Sequence, residues 1–183
     1  QDDDIELKRM YRKLVKNTML FCCTLIFGMA AVAEPLIVVL IGDKWLPSVS
    51  YLQLLCFVGM LYPLHAMNLN ILKVKGRSDL FLRLEIIKKL MAVPVIILGI
   101  FIGIHAMIIG MIFNSVMAYF INSYYSGKLV KYPFKEQIHD ITPSFLIAAG
   151  VGLMIFIPFI FIDLNHILML SLQTISALIL LVL

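Results

Sequence analysis

The fold is decided by the stretch from Thr18 to Ile41, which reads TMLFCCTLIFGMAAVAEPLIVVLI and holds one charged residue, Glu34. A bilayer core about 30 Å thick requires roughly 20 apolar residues in each helix that crosses it. The apolar residues here are continuous and lack the period-two alternation of a barrel strand. This stretch therefore predicts a membrane-spanning helix.

The rest of the chain repeats this pattern. Apolar residues make up 62% of the 183 residues, the mean hydropathy is +1.00, and the charges cluster in short stretches, unlike those of a soluble domain. Six apolar segments are long enough, or nearly so, to span a bilayer: about 18–41, 50–72, 86–104, 106–126, 143–162 and 166–183. The sequence thus predicts an all-α polytopic membrane protein with about six transmembrane helices.

The basic residues are distributed unevenly among the loops. Of the 15 Lys and Arg residues, 14 precede the first predicted span, separate the second from the third, or follow the fourth, and Lys44 alone lies elsewhere. This alternation predicts that the three basic segments and both ends of the chain face the cytoplasm. The same bias accounts for the net charge of +4 without a nucleic-acid partner.

Two charged segments adjoin the predicted spans. Residues 1–17 predict a cytoplasmic interfacial helix, because acids precede bases along it and its apolar residues recur at helical spacing. Ahead of the third span, Glu85 is spaced to pair with Lys88 or Lys89 on one helix face. Solvated charge that fixes the topology explains both segments, and contact with lipid headgroups or a partner is the alternative.

Glu34 is the only acid well inside a predicted span, and Pro35 follows it. Charged side chains within a membrane are costly and often functional, and a proline removes a backbone hydrogen bond and can kink the helix. Glu34 is therefore a candidate for proton or sodium coupling. Alternatively, it satisfies backbone groups freed at the kink, or the span ends near Ala33 and residues 36–41 lie at the interface.

The second span is broken by Pro63 and carries His65 and Asn68 toward its basic end. Histidine side chains ordinarily titrate near neutral pH, so His65 is a second candidate for ion coupling. Asn68 is a candidate for lining a hydrophilic cavity. Hydrogen bonding to a neighbouring helix, at about 1 kcal/mol or less, is the alternative for both.

The fourth span carries small and polar residues at spacings of three or four: Ser115, Ala118, Tyr119, Asn122 and Ser126. Such a stripe faces protein or a cavity and not lipid. Ser115, Tyr119 and Asn122 are therefore candidates for the wall of a cavity that binds an amphiphile, where tyrosine rings contact sugars. Helix packing alone is the other explanation.

Residue patterns of several other classes are missing from the sequence. The three cysteines, Cys22, Cys23 and Cys56, fall inside predicted spans and have no metal-ligand spacing. The sequence contains no Walker A motif and no Ser/His/Asp set. We expect no metal, no cofactor and no catalysis in this chain.

Several short motifs occur at characteristic separations: Ala33-Glu34-Pro35-Leu36-Ile37, Leu40-Ile41-Gly42-Asp43-Lys44-Trp45, Leu52-Gln53-Leu54-Leu55 and Gly76-Arg77-Ser78-Asp79-Leu80. Through them the chain resembles the Wzx-type polysaccharide flippases, the lipopolysaccharide (O-antigen) and colanic-acid exporter branch of the MOP superfamily. The resemblance covers about residues 1–100 and reduces to hydropathy beyond.

The resemblance implies a MATE/MOP-like fold of two helical lobes around a central cavity in the bacterial inner membrane. The implied substrate is an undecaprenyl-pyrophosphate-linked oligosaccharide, moved by alternating access without ATP hydrolysis. This chain would then be a fragment comprising most of the second lobe and two terminal helices, and the first lobe would be its partner. A pyrophosphate needs cationic contacts, and no Lys or Arg lies deep in a predicted span, so we expect those contacts in the missing lobe.

Two further classes remain open from the sequence. A cation-coupled multidrug exporter of the same superfamily would share the lobed fold, and its surface loops would not distinguish it. A membrane-embedded polysaccharide polymerase or transferase should show a large outer loop or a cluster of acidic, histidine and arginine side chains. The outer loops predicted here are short.

Overall fold

The computed structural model describes residues 2–160 and 166–182, which form helices joined by short turns. The helices are α1 (Asp2–Ala31), α2 (Ala33–Ile41), α3 (Ser48–Met60), α4 (Tyr62–Val74), α5 (Ser78–Ile102), α6 (Ile104–Val130), α7 (Phe134–Ile160) and α8 (His166–Val182), with a 3-10 turn at Asp43–Trp45. No β-strand occurs in these two ranges. The predicted all-α class is confirmed.

Four stretches of the described residues are long and apolar enough to cross a membrane: Ile5–Ala31, Ser48–Val74, Ile104–Val130 and Phe134–Ile157. They overlap the first, second, fourth and fifth predicted spans, and the chain is a multi-pass membrane protein. The first of these stretches ends at Ala31, ahead of the predicted end at residue 41, because the helix breaks at Val32. The third and sixth predicted spans, 86–104 and 166–183, fall on α5, whose first turns are charged, and on the shorter α8. Membrane crossing by these two helices stays a prediction. The connection predicted between the fifth and sixth spans, residues 163–165, lies outside the described residues.

The first helix includes two of the predicted segments. Residues 2–17 of the predicted interfacial segment continue into the first predicted span as one helix, α1, without a break at residue 17, because no proline or glycine occurs there to end it. Its buried face comprises Tyr11, Val15 and Met19 at a spacing of four, while Leu14 is exposed. The position of its first turns relative to the membrane surface stays a prediction.

The fifth predicted span also lies within a longer helix. α7 begins at Phe134, ahead of the start predicted at residue 143. Its first turns contain Lys135, Glu136 and Asp140, whose charges lower the hydropathy of the segment, so hydropathy alone does not reveal this part of the helix.

The bend expected at Pro35 is present as a break between α1 and α2 at Val32. Pro35 has no N–H to donate to the carbonyl of Ala31, four residues earlier, so the ladder lacks that bond beside the break, while Val32 and Leu36 still donate to Gly28 and Val32. Across the break, the Gln53 side chain of α3 donates through Nε2 to the Ala30 carbonyl at 3.2 Å. The amide therefore satisfies one of the carbonyls at the end of α1.

The second predicted break is present at Leu61, where α3 ends and α4 begins, with Pro63 in the first turn of α4. Proline is favoured at this position because the N–H groups of a first turn have no helical acceptor. Pro94, in contrast, lies inside α5 without interrupting it.

The three basic segments lie together at one end of the bundle, here called the basic end. It contains the starts of α1 and α7 and the ends of α4 and α6: the side chains of Tyr11, Asn68 and Ser126 are hydrogen-bonded there. At the opposite end, the ring of Tyr51 in α3 lies 4.4 Å, between centroids, from that of His105 in α6. This grouping matches the alternation of basic and neutral loops in the sequence.

The core lies where α1 packs against α7, with α4 and α6 beside them. Its buried apolar residues include Val15, Met19, Leu64 and Ala148. Large apolar side chains on the outside of α5 and α6 remain exposed, and Phe101 is 83% exposed. An apolar exterior of this kind suits contact with lipid chains.

Candidate functional site

A buried network of polar side chains lies at the basic end, and Asn68 of α4 is at its centre. Asn68 is 1% exposed, and its Oδ1 accepts hydrogen bonds from the Tyr11 hydroxyl at 3.0 Å and from the Ser126 hydroxyl at 2.6 Å. A buried amide needs such partners, because an unpaired polar group is costly away from water. Asn68 thus joins α1, α4 and α6.

Gln137 of α7 extends this network. Its Oε1 accepts from Asn68 Nδ2 at 3.3 Å and from the Tyr119 hydroxyl at 3.2 Å, and its Nε2 donates to the Tyr132 carbonyl at 3.0 Å. Gln137 is 1% exposed and Tyr119 is 2% exposed. Two of the candidate cavity residues, Asn68 and Tyr119, therefore share one buried partner.

A charged cluster adjoins the network, centred on Asp140 of α7. Arg12 donates to both carboxylate oxygens, through Nε at 2.6 Å and Nη2 at 2.8 Å, and Lys16 Nζ lies 3.0 Å from Oδ1. The Tyr132 hydroxyl donates to Oδ2 at 2.8 Å. Burial, with the nearby carboxylate, raises the pKa of Tyr132, so this hydroxyl keeps its proton. Asp140 is thus held by two cations of α1, Arg12 and Lys16, and by Tyr132 of the α6–α7 turn.

A second cluster surrounds His65. Its Nε2 lies 3.0 Å from the Ser115 hydroxyl, and its Nδ1 lies 3.3 Å from Asn122 Nδ2. An amide NH2 can only donate, so Nδ1 is the acceptor and the arrangement fits a neutral imidazole that carries its proton on Nε2. The structure therefore brings three of the predicted site residues together, His65, Ser115 and Asn122.

The two groups are continuous along α6, whose polar stripe faces protein as predicted. Tyr119, Asn122 and Ser126 are all almost fully buried. Asn122 Oδ1 is buried without a hydrogen-bond partner in the described part of the chain, so it has the capacity to accept one more hydrogen bond. Whether these residues also line a substrate path stays a prediction.

Glu34 lies apart from both groups. It is exposed in the first turn of α2, next to the break at Val32. Within residues 2–160 and 166–182 it has no ion pair, and no hydrogen bond joins it to His65. Its carboxylate is therefore available to groups outside this chain.

Gln137 and Asp140 are absent from the sequence-based candidates. Their segment reads as a cytoplasmic loop, and their partners are distant: Arg12 precedes Asp140 by 128 positions. The one available signal is an acid and an amide, three positions apart, inside a basic segment. That spacing places both side chains on one face of a helix. No group of three or more His, Cys, Asp or Glu side chains in the described ranges is arranged to hold a metal ion.

The fold and the buried polar groups define a polytopic helical membrane protein whose three basic segments lie together at one end of the bundle. Its residues 1–50 match a family described as polysaccharide biosynthesis protein. The chain is 27% identical over 129 residues to the lipopolysaccharide biosynthesis protein WzxC of Escherichia coli, covering 66% of this chain and 26% of that protein. It is 27% identical over 157 residues to the teichuronic acid biosynthesis protein TuaB of Bacillus subtilis, covering 82% of this chain and 31% of that protein.

A third relative is an uncharacterized membrane protein in the cps region of Klebsiella pneumoniae, 27% identical over 96 residues, with 52% of this chain and 20% of that protein covered. The chain thus spans less than a third of the length of each of these relatives. No solved structure matches it significantly. The resemblance to Wzx-type polysaccharide flippases is confirmed as a similarity, and it places the chain among membrane proteins related to polysaccharide biosynthesis.

Proposed function

We propose that this chain is part of a flippase that moves undecaprenyl-pyrophosphate-linked oligosaccharide across the bacterial inner membrane. The similarity to WzxC and TuaB carries the proposal, because it covers 66% and 82% of the chain, and the long apolar helices of this chain suit a membrane transporter. The basic end lies in the cytoplasm, in keeping with the distribution of Lys and Arg. The chain transports and does not catalyse.

Two features support alternating access. The charged cluster at Asp140 and the buried amides tie α1, α4, α6 and α7 into one body. The helix breaks at Val32 and Leu61 are points at which the other segments bend against that body. Motion of this body against the remainder of the longer protein opens the substrate path to one side and then to the other.

The transport proposal is tested in cells that lack the gene for the protein that contains this chain. We expect completed lipid-linked repeat units to accumulate on the cytoplasmic leaflet while surface polysaccharide disappears, and the intact gene to restore both. Normal polysaccharide with raised sensitivity to cationic drugs would contradict the proposal and favour a multidrug exporter. Unfinished repeat units or unlinked chains would favour a polymerase or transferase.

Ion coupling is assigned to Glu34, with His65 as the second candidate. Glu34 is exposed beside a helix break, where a carboxylate can be reached by a proton or by Na⁺. We expect Glu34→Gln in the natural-length protein to reduce transport at least tenfold and to remove its dependence on the ion gradient. Glu6→Gln, an exposed glutamate of α1, is the matched control. Unchanged transport and ion dependence in the Glu34 variant would refute the assignment.

A further inference from the structure

An open groove, here called the lateral groove, lies between α5, the second half of α6 and the first turn of α7. Its volume is about 890 Å³, within the range of pockets that hold a small amphiphile. Its apolar wall includes Ile87 and Ile121, and its floor is formed by the rings of Phe120 and Phe134, stacked with centroids 4.3 Å apart. The side chains of Ile87, Ile121, Phe120 and Phe134 take no part in the hydrogen bonds around Asn68.

Two lysines lie in the same groove, Lys128 near the end of α6 and Lys135 at the start of α7. Neither forms an ion pair with an acid in the described residues. Lys128 is held in place by Tyr124, because its Nζ donates to the hydroxyl at 2.6 Å and lies 4.1 Å from the ring centroid. The groove therefore combines an apolar wall with two uncompensated positive charges.

We propose that the lateral groove binds one anionic membrane phospholipid, with its phosphate at Lys128 and Lys135 and the upper part of an acyl chain along Ile87, Ile121 and Phe120. Basic pockets between transmembrane helices recognise anionic headgroups in this way. The lysines lie at the basic end, where the phosphates of one leaflet lie, so a lipid of that leaflet reaches the groove laterally. The proposal does not depend on the transport activity.

The charge of the groove favours this occupant over a protein segment. A second copy of the chain, or another part of the longer protein, would have to supply two acids to neutralise Lys128 and Lys135 on covering it. A phospholipid supplies its phosphate and its hydrocarbon together. It also covers the stacked rings of Phe120 and Phe134 with apolar surface.

The test uses the natural-length protein in detergent, with native mass spectrometry as phosphatidylglycerol or the zwitterionic phosphatidylcholine is added. We expect one phosphatidylglycerol to be retained in preference to phosphatidylcholine. The double variant K128Q/K135Q should weaken its binding roughly 25-fold, because each lysine near a headgroup contributes about fivefold. Lys13 and Lys89, two exposed lysines outside the groove, give the charge-matched control K13Q/K89Q, which should bind as the unchanged protein does.

Three results would overturn the proposal. Equal loss of lipid in both double variants would show general attraction to the basic end. An absence of preference for phosphatidylglycerol in the unchanged protein would show that the groove is covered or empty. Displacement of phosphatidylglycerol by a polyprenyl phosphate at equal concentration would show that the groove holds the transported kind of lipid instead of a resident phospholipid.

Discussion

At the scale of single residues, Asp140 joins α7 to α1 through Arg12 and Lys16. It is 3% exposed, and a bidentate contact with Arg12 of the kind seen here is among the stronger hydrogen-bonded pairs in proteins. The Arg12 side chain is 38% exposed, so removal of the carboxylate leaves a cation that water can reach. The cost is then smaller than that of stranding a fully buried charge.

We expect Asp140→Asn to lower the free energy of unfolding by about 1–3 kcal/mol. The asparagine amide has one oxygen that accepts hydrogen bonds where the carboxylate has two, and it has no charge to neutralise Arg12 and Lys16. Folded protein that survives heating in detergent, measured by size-exclusion chromatography, reports the change. Asp79→Asn is the control: a hydrogen bond from Arg77 lowers the pKa of Asp79 to about 2, but this pair is exposed and should contribute little. Equal effects of the two substitutions would argue against a special role for Asp140.

A second prediction at the scale of single residues concerns the contribution of Asn68 to stability. Asn68→Leu removes three side-chain hydrogen bonds, each worth about 0.6 kcal/mol in a membrane protein, and should destabilise the protein by roughly 2 kcal/mol. Asn70→Leu, at an exposed position on the same helix, should leave stability unchanged or slightly raised. The same heating assay compares the two. If the Asn68 variant is as stable as the unchanged protein, Tyr11, Gln137 and Ser126 must form other hydrogen bonds within the bundle.

At the scale of elements, the break between α1 and α2 combines a proline with a side-chain cap. Pro35 interrupts the ladder, and Gln53 satisfies the Ala30 carbonyl from a neighbouring helix. Both residues belong to the short motifs that carry the resemblance to polysaccharide flippases. The motif around Gln53 therefore reaches the helix break beside the motif around Pro35.

We expect Pro35→Ala to stiffen this joint, because alanine restores an N–H that can donate to the carbonyl of residue 31. Hydrogen exchange of the amides at residues 33–37 should slow, and transport by the natural-length protein should fall if the joint bends during the cycle. Pro94→Ala, in the uninterrupted α5, should change neither exchange at the joint nor transport. Faster exchange at the joint in the Pro35 variant would contradict the expectation.

At the scale of the whole molecule, the basic end and the end near Lys44 should lie on opposite sides of the membrane. With Cys22, Cys23 and Cys56 replaced by alanine, a single cysteine at position 131 or 44 can be tested in whole cells with a maleimide that does not cross the membrane. We expect labelling at position 44 without permeabilisation, and at position 131 only after it. Labelling of both positions in intact cells would refute the proposed orientation.

Parts of the fold and of the site follow directly from local spacing in the sequence. Glu85 pairs with Lys88 as its spacing predicts, since the Lys88 Nζ donates to Glu85 Oε1. The polar stripe of α6 faces protein because small and polar residues recur every three or four positions and cannot face lipid. His65 and Asn68, three positions apart on α4, likewise lie on the side that meets α6.

The sequence by itself therefore determined the helical class, the long apolar spans, and which charged loops lie at the same end of the bundle. These features depend on hydropathy and on helical periodicity. Only the tertiary structure decided the partners of those helices. Asp140 lies in a segment that reads as loop, and its burial depends on Arg12, 128 positions away, just as Gln137 depends on Asn68, 69 positions away. Periodicity assigns a residue to a face of its own helix, whereas the residue it meets is set by how the helices pack.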